Sequence, residues 1–165
     1  MDEIDSTYLL AFSRITKAIS SSPDLREVPH LIVKTICETT GSKGCTLMLL
    51  DERERRLEVK SSFGLSDRYL QKGPLLSDRS IAGGLNGDTV IIEDATRDTR
   101  VQYPEEARLE GIASIVSIPI VQCRRIIGAL RLYTSVPCKF SQEDIVFLSA
   151  VAVLSGFTVG NGARR

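Results

Sequence analysis

Ala113-Ser114-Ile115-Val116-Ser117-Ile118-Pro119-Ile120-Val121, then Gln122-Cys123-Arg124-Arg125, then Ile126-Ile127-Gly128-Ala129-Leu130-Arg131-Leu132-Tyr133, is the plainest structural signal in the chain. Two apolar, β-branched runs flank a short polar turn, the pattern of a β-hairpin with strands over about 113–121 and 126–133. Seven residues on, Phe140-Ser141-Gln142-Glu143-Asp144-Ile145 opens a helix over about 141–158. Ser141 is placed to cap it, Asp144 stands three positions later, and Phe140 can fold onto Ile145 as a hydrophobic staple.

Upstream, residues 5–20 read as a helix with two apolar stripes: Ile4, Tyr8, Ala11, Ile15 and Ala18 on one, Leu9, Phe12 and Ile19 on the other. Ser20-Ser21-Ser22-Pro23 ends it. A second helix over about 24–40 follows Asp24, which can form a capping box with Glu27, although Pro29 points to a later start. The continuous apolar run 45–51 predicts a strand covered on both faces. After a charged loop, Asp51 to Arg56, the segment 57–63 alternates, with Leu57, Val59, Ser61 and Phe63 on one face. Glycines punctuate 64–87, 88–93 reads as a further strand, and Asp94 to Gly111 is a polar excursion. Helices grouped apart from strands define an α+β class, expected to be one domain over 1–165.

Composition narrows the functions. At 165 residues the chain suits one domain, which buries roughly 70% of its unfolded surface. Twenty-one basic and twenty-one acidic side chains cancel, which argues against nucleic acid or an anionic membrane as partner. Met1-Asp2-Glu3 lacks the positive charge of a secretory leader, and the apolar stretch Ile145 to Phe157 is short for a membrane span, so a cytoplasmic location is expected. Cys37, Cys45, Cys123 and Cys138 form no CxxC pair, so no metal site is expected and reduced thiols are. His30 is the only histidine and lies far in sequence from any nucleophile; Gly83-Gly84…Gly87 lacks the Lys-Ser or Lys-Thr of a P-loop.

The order Ser114…Pro119…Gly128-Ala129-Leu130…Phe140-Ser141…Asp144 resembles the C-terminal half of a GAF domain, and the pattern from about residue 5 to 160 follows that family. The resemblance implies a GAF/PAS-like central antiparallel sheet of five to six strands. Terminal helices would pack on one face, and short helices and loops would roof a pocket on the other. It further implies a non-catalytic sensory or regulatory domain that binds a small molecule, of unidentified structure and without a named cofactor, and signals through its terminal helices to a separate or fused output domain. Pocket candidates on this basis are Phe63, Ile81, Ile92, Asp94, Arg97, Tyr103, Arg108, Ser114, Ser117 and Leu130. Asp94 and Asp98 also suit a plain structural role, capping backbone N–H groups in Asp94-Ala95-Thr96-Arg97-Asp98-Thr99-Arg100. Ser114 and Ser117 point to opposite faces of their strand, so at most one meets the pocket.

The terminal helix is apolar on two sides and must bury both. A homodimer through the terminal helices is therefore expected, with Tyr8, Phe12, Ile15, Phe147, Ala150, Leu154 and Phe157 as candidates. Two alternatives come from other classes: a structural dimerisation module without a ligand, and a thiol redox sensor or GAF-type free methionine sulfoxide reductase. The reductase branch carries its nucleophilic cysteine just before the strand that matches Ser114–Pro119; here Glu110-Gly111-Ile112-Ala113 holds none. Cyclic-nucleotide-binding members show Asn-Lys…Phe-x-x-x-Asp-Glu, of which only Phe140-x-x-x-Asp144 is present, and helix capping already accounts for it.

Overall fold

The sheet grows outward from the hairpin. In the computed structural model, which describes residues 3–76 and 87–163, β5 (Ser114–Gln122) and β6 (Arg125–Thr134) pair antiparallel from Ser114↔Thr134 to Gln122↔Arg125. Only Cys123 and Arg124 link them, at φ 51° and 64°, the left-handed conformation that a two-residue type I′ turn requires. β1 (Gly44–Asp51) joins the free edge of β6, β2 (Arg56–Phe63) pairs with β1, and the two-residue β3 (Leu75–Leu76) closes that side. β4 (Val90–Ile92) pairs with β5, completing a six-stranded antiparallel sheet in the order β3-β2-β1-β6-β5-β4.

Side chains alternate across this sheet, and each face has its own cover. Cys45, Leu47, Val116, Ile118, Ile120, Leu130 and Leu132 face α1 (Glu3–Ser21), α2 (Val28–Thr40) and α5 (Gln142–Ala163) in the main core, with Ile15, Ile32, Ile36, Leu148 and Val151 opposite them. On the reverse face, the roof face, Ile115 and Tyr133 pack with Ile92, Ala95, Val101 and Ile112, and with Tyr69 of α3 (Asp67–Leu70) and Ala107 of α4 (Pro104–Glu110). Met48, Leu57, Leu75 and Ala129 form a second roof-side cluster. The α+β GAF architecture expected from the sequence is the one present.

Three local expectations are corrected. Asp24 does not form a capping box with Glu27: its carboxylate accepts Arg26 N at 3.0 Å and pairs with the Arg26 guanidinium. Leu25–Glu27 is a 3-10 turn, and α2 begins at Val28 with Pro29 in its first turn, where a missing N–H costs nothing. In β2, Met48 pairs with Val59 but Leu47 with Ser61, so Lys60 is an extra residue, a β-bulge. The bulge switches faces, leaving Leu57 on the roof side and Phe63 against the helix-side core. Third, α5 is longer than expected, and Gln142–Val159 is apolar enough to resemble a membrane span by length and composition. Its buried residues pack on the sheet, and the buried hydroxyls of Ser155 and Thr158 donate to Val151 O and Ser155 O within the helix.

The start of α5 is built as its sequence indicates. Ser141 Oγ accepts Asp144 N at 3.1 Å, and Asp144 Oδ2 accepts Ser141 N at 2.8 Å. The remaining oxygen, Oδ1, accepts the Tyr8 hydroxyl, while the Tyr8 ring stacks on Phe147 with centroids 4.4 Å apart. The partner of the two-sided helix is thus α1 of the same chain. Of the dimer candidates, Ile15 and Phe147 are buried, and Tyr8, Phe12 and Leu154 pack against the same core. Phe157 is exposed and Ala150 half-buried.

Candidate functional site

Three adjacent strands place Thr46 (β1), Arg131 (β6) and Ser117 (β5) directly opposite one another in one row on the roof face. All three are buried, at 2%, 3% and 4% exposure. Arg131 Nε donates to Ser117 Oγ at 3.3 Å, and the Tyr133 hydroxyl lies 3.1 Å from Thr46 Oγ1. Burial raises the Tyr133 phenol, and the Arg131 charge and the Thr46 hydrogen bond only partly oppose this. Apolar clusters flank the row, Ile92–Ile115–Tyr133 on one side and Met48–Leu57–Ala129 on the other. A charged side chain in such surroundings is costly unless hydrogen-bonded, so this row is chemically distinct from the rest of the core.

The roof supplies a second cation. Ser66 Oγ caps α3 by accepting Tyr69 N at 3.2 Å, and Glu110 at the end of α4 accepts both Ser66 N and Ser66 Oγ at 2.7 Å. Burial works against the Glu110 carboxylate, yet these bonds with Lys43 and Arg68 hold its pKa below the ordinary value. The clamp positions Tyr69 edge-on to Tyr133 at 6.0 Å and Lys72 beside it. Lys72 Nζ sits 3.9 Å from the Tyr69 ring centroid and donates to Tyr69 O at 3.2 Å. Burial, reinforced by the Arg131 charge, lowers Lys72 to about 8, and Glu106 and Glu110 offset this only in part.

Of the pocket candidates, Ile92, Ser117 and Tyr103 lie on the roof side; the Tyr103 hydroxyl donates to Pro74 O at 2.7 Å. Phe63 and Leu130 do not: both pack in the helix-side core, Phe63 because of the bulge and Leu130 because its even position in β6 faces α1, α2 and α5. Asp94, Arg97 and Arg108 are exposed. Asp94 Oδ1 accepts Thr96 N at 3.0 Å in an Asx turn, Arg97 lies 3.9 Å from its other oxygen, and Arg108 pairs with Glu105. Ser114 Oγ donates to Glu93 O at 2.8 Å and accepts Cys138 N at 2.9 Å, a tie between loops. Ile81 lies outside the described residues. Arg131, Thr46, Tyr133, Tyr69 and Lys72 were not among the candidates; the available signal was Arg131, a charge amid the apolar run Ile126–Tyr133.

Other chemistry is sparse. A broad open groove of 1440 Å³ runs between Pro29 and His30 of α2, the β1–β2 hairpin and Val159 of α5, away from the roof. Cys37 and Cys45 are in the helix-side core; burial pushes the Cys37 thiol up to about 11 and that of Cys45 upward. Cys123 is in the hairpin turn and Cys138 precedes α5, so no cysteine joins the roof-face row. Among the described residues, no three His, Cys, Asp or Glu side chains group as a metal site.

An antiparallel sheet with terminal helices on one face and a roofed polar row on the other defines a class of small α+β modules. The GAF-domain family model matches residues 22–159, and the chain belongs to the GAF domain family. It is 23% identical over 120 residues to a phosphoenolpyruvate-dependent phosphotransferase system protein of Escherichia coli (strain K12), covering 72% of this chain but only 16% of that protein. The GAF domain of a phosphoenolpyruvate-protein phosphotransferase from Coxiella burnetii has the same fold, with TM-score 0.87 and 19% identity over 99% of this chain and 98% of that one. So does a free methionine-R-sulfoxide reductase from Neisseria meningitidis solved with its substrate, with TM-score 0.79 and 16% identity over 96% and 90% of the two chains.

Proposed function

We propose that the chain is a sensory or regulatory GAF domain that binds a small molecule over the Thr46–Arg131–Ser117 row, catalyses no reaction, and passes the binding event to its terminal helices. The observation that supports this is the back-to-back arrangement of β5 and β6. Ser117 and Arg131 face the roof, while their neighbours Val116, Ile118, Leu130 and Leu132 face the helix-side core that holds α5. A shift of either strand by a ligand therefore reaches α5 through the residues next along the chain. Coupling of this kind is typically about 1–3 kcal/mol. The relative of which this chain spans a small part suggests an output carried on other segments or proteins.

Catalysis of the reductase type is disfavoured by the placement of the cysteines away from the row. A cytoplasmic location is proposed with the same role, since none of the cysteines is disulfide-bonded. Thermal-shift screening of a chemically diverse metabolite library, followed by amide NMR, tests the site. A hit is expected to raise Tm and to move the signals of Thr46, Ser117, Arg131 and Tyr133. Hits that move only signals of the 1440 Å³ groove would transfer the site there, and a library without hits favours the ligand-free dimerisation module.

Homodimerisation is proposed through a face different from most of the original candidates. Val146, Val153 and Phe157 are exposed at 61%, 58% and 61%, and with half-buried Ala150 they recur at spacings of four, three and four, a coiled-coil seam. Phe157→Glu is expected to weaken self-association at least tenfold in sedimentation velocity while leaving Tm nearly unchanged. A wild-type chain that sediments as a monomer at high micromolar concentration would remove the dimer.

A further inference from the structure

The roof-face row is closed off: Thr46, Arg131 and Ser117 are 2%, 3% and 4% exposed, so a small molecule reaches them only when part of the roof moves. Resting on the ligand site proposed above, we infer that the moving part is the strap Lys72–Leu76, a gate latched shut by the side chains of Gln102 and Tyr103. Segments that open to admit ligands are those with the fewest and most exposed ties.

The attachments of the strap fit that description. Its Leu75–Leu76 end pairs with β2 over two residues, Leu57↔Leu75 and Arg56↔Leu76. The Tyr103 hydroxyl and Gln102 Nε2 both donate to Pro74 O, at 2.7 and 3.0 Å, and Gln102 Oε1 accepts Leu76 N at 3.0 Å. These bonds all come from two adjacent side chains just ahead of α4, so one movement of that pair releases them together. Gly73 and Pro74 are exposed, and Gly73 holds φ at 140°, a conformation that favours glycine. The strap passes so close to Tyr103 that a Cβ on Gly73 would stand 2.5 Å from the hydroxyl. Both flanks are fixed. Upstream, the Ser66–Glu110 clamp and buried Tyr69 hold α3, and Lys72 donates to Tyr69 O; behind the latch, α4 is rooted by fully buried Ala107.

The strap covers the rung beside the row. Leu75 is 7% exposed and packs with Met48, Leu57 and Ala129, and the Tyr103 ring packs against the same cluster. Met48 and Ala129 are paired across β1 and β6, two residues along from the paired Thr46 and Arg131 and on the same face. Lifting Leu75 therefore uncovers the floor next to Thr46 and Arg131, while the Ile92–Ile115–Tyr133 cluster under α3 and α4 stays covered.

The test uses the whole chain and a probe that needs no ligand. Native-state amide exchange reads the latch at Leu76, whose N–H bonds to Gln102. Iodoacetamide reads access to the floor through the thiol introduced by Ala129→Cys, with Ala107→Cys as the control in the other roof cluster. Peptide mass spectrometry separates both from the native cysteines. Gln102→Ala combined with Tyr103→Phe, which keeps the ring, is expected to speed Leu76 exchange and alkylation at position 129 by about tenfold or more, with position 107 unchanged. Gly73→Ala, which drives the Tyr103 hydroxyl away from Pro74, should act in the same direction, and Tyr103→Phe alone serves if the double variant does not fold. Unchanged exchange and alkylation in the folded variants overturn the gate, as does equal acceleration at positions 129 and 107, the mark of general loosening. Compounds that bind the row at the same rate whether or not the latch is cut overturn the gate and leave the ligand site standing. Latch-dependent opening over a row that no compound reaches supports the gate and removes the ligand site.

Discussion

Replacing Phe147 by alanine is expected to cost about 3–5 kcal/mol of folding stability, read as a lowered urea midpoint with an unchanged oligomeric state. Phe147 is 5% exposed and stacks face to face on Tyr8 with an interplanar angle of 5°. The truncation removes the ring from the junction of α1, α5 and the sheet, and it also strips the Tyr8 ring of its apolar support. The Tyr8 hydroxyl is anchored to Asp144, itself part of the capping box, so the ring cannot collapse into the void without breaking that bond. A site that cannot collapse lies toward the upper end of the range. Phe157→Glu, two helical turns and more away on the exposed seam, should show the reverse: little change in stability, large change in association. A Phe147→Ala chain that keeps its stability but dissociates would place Phe147 at an interface between copies and refute the intramolecular stack.

Gly128→Ala is expected to destabilise by at least about 3 kcal/mol, beyond the ordinary cost of overpacking. A Cβ at this position would stand 2.0 Å from the carbonyl oxygen of Met48 and 3.2 Å from Leu49 Cα, both backbone atoms of β1. No side chain can rotate away to relieve the contact, so β1 and β6 must separate where Leu49 pairs with Gly128. The strain would run along the same two strands to Thr46 and Arg131, three residues off along β1 and β6, and ligand affinity should fall with stability. Urea denaturation with a binding titration checks both. A cost below about 1 kcal/mol would mean that β1 and β6 can move apart without loss, against the rigid central pairing that the proposed signal route requires.

Most of the fold was legible because local signals agreed with one another. The hairpin, the Ser141–Asp144 capping box and the alternation in 113–133 each name an element and its face, and period-two alternation leaves little freedom once a strand is placed. The misplacements have specific causes. Phe63 was assigned to the wrong face because a bulge at Lys60 inserts one residue, and nothing in Leu57-Glu58-Val59-Lys60-Ser61 announces it. Leu130 follows from the family resemblance as a pocket residue, whereas its strand position turns it to the helices. Asp94, Arg97 and Arg108 drew notice as polar residues in loops, yet local turns and ion pairs occupy Asp94 and Arg108, and all three face solvent.

The sequence by itself determined the family, the element order and the two-faced sheet, since these follow from periodicity and capping over a few residues at a time. Only the tertiary structure decided what stands on the roof face. Thr46, Arg131 and Ser117 are far apart along the chain and meet only through the pairing of β1 and β5 on either side of β6. Lys72 acquires its lowered pKa only when folding buries it against Tyr69, out of water and within reach of the Arg131 charge. The partner of the apolar α5 was likewise a question of packing: both sides of the helix looked equally adhesive, and the Tyr8–Phe147 stack assigned one to α1, leaving Val146, Val153 and Phe157 exposed on the other.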